Sequence, residues 1–85
     1  MVTNYPEHDR HVRKMMGDLG KEDPKVMSAF MQLHAAGSSD SALSAKMKEL
    51  IALAIGVTVR CDGCIAFHVK DALKAGASHD EIVDA

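Results

Sequence analysis

Two cysteines, a histidine and a glutamate are spaced for redox chemistry. Cys61 and Cys64 form a Cys-x-x-Cys pair, His68 follows at the fourth position after the second thiol, and Glu49 lies twelve positions before the first. On a helix of 3.6 residues per turn, positions 61, 64 and 68 fall within about 60° of one another, and Cys64 and His68 are i, i+4 neighbours. Ile65, Val69 and Ala72 share that side, while Lys70 and Lys74 point away, so thiols and imidazole face inward. Both cysteines sit at the start of this helix, where the dipole and free backbone N–H groups stabilise a thiolate. An adjacent base completes an activated nucleophile. On its own helix Glu49 has only Ala52, Leu53 and Gly56 beside it, so its carboxylate is desolvated and needs a partner. His68 is the candidate. These positions imply a relay in which Glu49 orients and charges His68, and His68 takes the proton of Cys64. Taken singly, His68 fits a satisfied core histidine, Glu49 a first-turn acid, and the cysteines small buried hydrophobes. The joint pattern favours the relay.

The elements that must position these residues read as helices throughout. Val12, Met15, Met16 and Leu19 fit helical spacing, and Gly20 suggests the stop. Asp23 caps a second helix with Pro24 in its first turn; Val26, Met27, Phe30, Met31 and Leu33 carry it to Gly37. Residues 37–41 read as a loop. Ser44 caps a third helix through Met47, Leu50, Ile51, Ala54 and Ile55 to about Val59, and a fourth runs from the cysteines to Gly76. Ser78 and Glu81 form a capping box that opens a fifth. Gly56 in mid-helix costs roughly 0.5–1 kcal/mol relative to alanine, which suggests a close helix–helix approach there. The methionines (15, 16, 27, 31 and 47) read as core filler, and His8 and His11 as solvated surface. The expected architecture is all-α, a small helical domain of about five helices over residues 1–85.

The composition is 85 residues with 10 basic and 12 acidic side chains, net charge −2, 47% hydrophobic and no Trp. A chain of this size buries only roughly 60–65% of the surface of its unfolded form, so a lone subunit has a thin core. The net charge and the lack of a basic stripe argue against nucleic acid as a partner. The charged first 20 residues argue against a secretion signal, and the longest apolar run, Leu50 to Val57, is far short of the roughly 20 residues of a membrane span. The reading is a cytoplasmic protein with no membrane partner. The third helix is apolar on nearly every side after Glu49, and the fifth has barely two turns; both point to a homo-oligomer.

Glu49, the run Cys61-Asp62-Gly63-Cys64-Ile65-Ala66-Phe67-His68 and the run Ala72 to Ser78 resemble the carboxymuconolactone decarboxylase superfamily, and most closely its alkylhydroperoxidase D-like branch, with its E-x11-C-x-x-C-x-x-x-H signature. The resemblance covers residues 44–85. It implies an all-α fold that assembles as trimers or hexamers, and thiol-dependent peroxidase or disulfide oxidoreductase activity without a cofactor. By position, Cys64 would be oxidised by a peroxide, Cys61 would donate a proton and then close the Cys61–Cys64 disulfide, and His68 with Glu49 would relay protons. A thiol or dithiol protein would reduce the pair again. The chain departs from the best-characterised hydroperoxidases at Gly63, where they carry a second histidine, and typical members continue with another helix after the capping-box segment, where the sequence given ends at Ala85. Other readings are a lactone decarboxylase, a non-catalytic assembly subunit, and a zinc site built from Cys61, Cys64 and His68 with Glu49 as fourth ligand. A c-type haem site needs histidine where Ile65 stands, and a thioredoxin motif needs a preceding strand.

Overall fold

The computed structural model describes residues 2–85, so the domain expected over 1–85 includes one residue, Met1, outside those described. Five helices follow in order: α1 Tyr5–Glu22, α2 Pro24–Ser38, α3 Ala45–Thr58, α4 Asp62–Lys74 and α5 His79–Asp84. Among the described residues there is no strand. Each helix begins on a side chain that satisfies a free backbone donor. Asn4 accepts from the Glu7 N–H (3.1 Å), Asp23 from Val26 (3.2 Å) and Ser44 from Met47 (3.1 Å). At α5 the expected capping box is complete: Ser78 Oγ accepts from the Glu81 N–H (3.1 Å) and the Glu81 carboxylate accepts from the Ser78 N–H (2.9 Å).

Two helix ends differ from the sequence reading. α1 runs through Gly20 to Glu22, because the stop is set by Asp23, whose N–H still donates to the Leu19 carbonyl while Pro24 holds Asp23 out of the helical region. α2 likewise runs through Gly37 to Ser38, and Ser39 ends it in an extended conformation. Neither glycine adopts the left-handed backbone that a terminating glycine supplies.

The α3–α4 hairpin is the centre of the fold. α1 packs on α4, α2 on α1, and α5 closes one end against α4. The residues buried at the centre are Leu53, Ala66, Ala72 and Ala77, mostly small, which lets α4 approach its neighbours closely. The methionines are not the core. Met15, Met31 and Met47 are exposed and only Met16 and Met27 are half-buried, because the faces that carry them are left open in the single chain. The same holds along α3, where Ile51, Ile55 and Val57 are about half exposed.

A lattice of charge fastens α1 to α4. Asp9 is 3% exposed; Arg13 Nε donates to both of its oxygens (3.0 Å each) and Lys70 Nζ to one (3.2 Å). Arg13 also reaches Asp71 (3.1 Å) and lies 4.2 Å from the centre of the Phe67 ring. Burial pushes the Asp9 carboxyl up, but the hydrogen bonds and charges of Arg13 and Lys70 together outweigh it and hold it below its ordinary value.

Candidate active site

The turn between α3 and α4 delivers the sulfurs. Arg60 takes φ 57°, and the Cys61 N–H donates to the Gly56 carbonyl (3.0 Å) while the Arg60 N–H donates to Val57 (3.1 Å). This double closure with a left-handed residue locks the α3 end and starts α4 at a fixed angle. Cys61 is the N-cap of α4, its Sγ accepting from the Cys64 N–H (3.2 Å). Cys61 and Cys64 are joined as a disulfide, with Cα atoms 5.1 Å apart, so the pair is shown in its oxidised form.

Gly56 is what lets the sulfurs sit against α3. A Cβ built on it would lie 3.1 Å from Cys64 Cβ, closer than packed carbons normally come, and in ordinary contact with the Cys64 carbonyl carbon at 3.6 Å. The close approach read from the glycine is therefore at Cys64 itself. Two turns earlier on α3, Glu49 is 6% exposed, and its Oε2 accepts from His68 Nδ1 at 2.7 Å. A carboxylate can only accept here, so Nδ1 carries the proton and Nε2 is left as the basic nitrogen.

His68, Cys61 and Cys64 line one side of a cavity of about 380 Å³, together with Phe67. The opposite wall is Val12 and Met16 from α1 and Phe30, Met31 and His34 from α2. The structure thus brings Glu49 to His68 and sets His68 and both sulfurs on one apolar cavity. Its wall residues went unread as site residues. His34 had a signal, since it stands four positions after Phe30 on the same helix face. His8, expected on the solvated surface, is half-buried, with Nε2 3.7 Å from a Cβ placed on Gly63; His11 is exposed. Among the described residues, no three His, Cys, Asp or Glu side chains gather as a metal would need, and the joined sulfurs offer no thiolate to zinc in this state.

The model of the carboxymuconolactone decarboxylase family matches residues 24–85. The chain belongs to the carboxymuconolactone decarboxylase family. Uncharacterized proteins of Haemophilus influenzae and Cupriavidus necator are similar to it. The first is 48% identical over 85% of this chain and 64% of its own length, the second 34% over 99% and 74%. An uncharacterized protein of the cox locus of Paracoccus denitrificans is 33% identical over 82% of this chain and 63% of its own. The chain thus spans a little under two thirds of the Haemophilus and Paracoccus relatives. The crystal structure of an apo-form member of the family from Legionella pneumophila has the same helical fold, with TM-score 0.84 and 34% identity over 94% of this chain and 71% of that one. No helix among the described residues is long and apolar enough to cross a membrane.

Proposed function

We propose that this chain, acting as one helical domain, is a thiol-dependent peroxidase and disulfide oxidoreductase. The observation that carries the reading is the buried Glu49 carboxylate bonded to Nδ1 of a histidine that shares one cavity with a Cys-x-x-Cys disulfide. In the reduced form His68 Nε2 takes the proton of Cys64, and the Glu49 carboxylate stabilises the imidazolium. The Cys64 thiolate attacks the peroxide. An S–O bond forms, the O–O bond breaks, sulfur loses two electrons and the leaving oxygen departs as an alcohol or water. Cys61 then attacks Cys64 Sγ, closing the disulfide and releasing water. A thiol or dithiol protein returns two electrons and two protons by exchange. The enzyme works as a homo-oligomer, trimer or hexamer, in the cytoplasm; the open apolar faces of α3 support the assembly.

The test is peroxide consumption with a dithiol supplied, by wild type, Cys61→Ser and Cys64→Ser. Wild type turns over and Cys64→Ser is inert; with the dithiol left out, Cys61→Ser stops after one equivalent and accumulates a sulfenic acid detectable by mass. Equal consumption by all three would overturn the reading.

A further inference from the structure

The relay described above serves the sulfur, but a peroxide has a second oxygen, and the structure holds a second imidazole. Displacement at oxygen is in line: sulfur, attacked oxygen and leaving oxygen lie nearly on one axis. The leaving oxygen is therefore carried away from α4 toward the opposite wall of the cavity. That wall is apolar at Val12, Met16, Phe30 and Met31, and its single ionisable side chain is His34. The His34 ring meets the edge of Phe67 with centroids 5.8 Å apart, and Phe67 in turn meets the His68 ring at 5.7 Å. Both imidazoles thus meet the same aromatic ring. His68 is held by Glu49, whereas no side chain accepts from or donates to His34 among the described residues.

His34 also has access to protons. A second cleft of about 360 Å³ opens behind it, lined by Arg13, Glu49, Asp71 and Lys74, and His34, Met31 and Phe67 are the partition shared with the thiol cavity. One face of this histidine therefore borders an apolar chamber and the other a charged, solvent-fed cleft.

We propose that His34 is the catalytic acid for the leaving oxygen, a role that rests on the peroxidase reading. His68 removes the Cys64 proton, the thiolate attacks, the O–O bond breaks, and protonated His34 gives its proton to the departing alkoxide, which leaves as the alcohol. Neutral His34 is recharged by the proton that Cys61 gives up on becoming the attacking thiolate. The proton held on His68 goes to the hydroxide expelled when the disulfide closes. Two thiols and one hydroperoxide thereby give one disulfide, one alcohol and one water.

The experiment varies the leaving group. Ethyl hydroperoxide expels strongly basic ethoxide, which needs a proton; peroxyacetic acid expels acetate, which does not. Single-turnover disulfide formation in the reduced protein is followed by quenched intact mass for wild type, His34→Phe and His34→Gln. General acid catalysis contributes at least about 100-fold, so His34→Phe is expected to slow ethyl hydroperoxide by about that factor and peroxyacetic acid by less than about threefold. His34→Gln keeps a polar side chain in the partition, and should show the same selectivity, which guards against a phenylalanine variant that folds poorly. Equal slowing with both oxidants would mean that His34 only shapes the cavity, and no slowing with either would mean that it does nothing; each overturns the proposal and leaves the peroxidase reading standing. A wild-type protein inert to both oxidants would overturn that reading, and this one with it.

Discussion

Replacing Gly56 by alanine should be harmful, although the same change elsewhere in these helices should help. Glycine inside a helix is less stable than alanine by roughly 0.5–1 kcal/mol, so on propensity alone every interior glycine-to-alanine change is a gain. Gly17 in α1 and Gly37 in α2 meet no heavy atom within 4 Å of an added Cβ, and should realise that gain. At Gly56 the new methyl would sit 3.1 Å from Cys64 Cβ, with Cys64 carbonyl carbon and Ile65 nitrogen at 3.6 Å. The obstruction is the first turn of α4 rather than the end of a flexible side chain, so the helix must retreat by some tenths of an ångström. Overpacking of this kind costs about 1–3 kcal/mol, which exceeds the propensity gain and leaves a net loss of about 0–2.5 kcal/mol. The retreat also lengthens the 2.7 Å Glu49–His68 bond, so thiol oxidation slows as well. Urea unfolding of Gly17→Ala, Gly37→Ala and Gly56→Ala, each beside wild type, gives the comparison, and peroxide-driven disulfide formation gives the second readout. A Gly56→Ala protein stabilised like the other two, with unchanged oxidation rate, would refute the argument that α3 and α4 touch at the sulfur.

Other outcomes follow from single features. Asp9→Asn leaves Arg13 and Lys70 without their shared carboxylate and should cost about 1–3 kcal/mol near neutral pH in urea unfolding. Because the folded carboxyl is held below its ordinary 3.8, its contribution is complete above that value and disappears as pH falls through the lower folded value; the gap between wild type and Asp9→Asn should therefore close in acid. Ser78→Ala removes one half of the α5 capping box at a cost of about 0.5–2 kcal/mol, and hydrogen exchange should show faster opening of α5 with α3 and α4 unchanged. Ile55→Glu places a charge on an α3 side chain that is 57% exposed in the single chain, and sedimentation should find the wild type larger than its 9.1 kDa subunit and the variant shifted to it.

The arrangement of the candidate site was legible because its logic is local. Cys61, Cys64 and His68 share one helix, their spacing sets their common face, and Glu49 stood out as a charge among Ala52, Leu53 and Gly56. What joined Glu49 to His68 was a tertiary contact, but each side needed the other, and the sequence held few rivals. Helix ends were harder to read. A glycine stops a helix only when its backbone turns left-handed; Gly76 does so at φ 98°, and Gly20 and Gly37 do not. Periodicity showed that the methionines lie on apolar faces, yet says nothing of whether a face is covered, and several proved open. The Asp9 network was half visible: Arg13 is its i, i+4 neighbour, whereas Lys70 arrives from the far end of the chain. His34 was hidden because a cavity wall exists only after α1, α2 and α4 have met.

In the proposed reaction Glu49 and His68 act on the thiol as one unit, and a double-substitution cycle measures that directly. Single-turnover oxidation by peroxide is timed for Glu49→Gln, His68→Gln and the pair, with circular dichroism confirming that each is folded. Loss of a proton relay should slow the reaction about 100-fold or more in each single variant, and the double variant should be no slower than His68→Gln alone. Near-wild-type rates in Glu49→Gln, or two losses that simply multiply in the double variant, would contradict the relay.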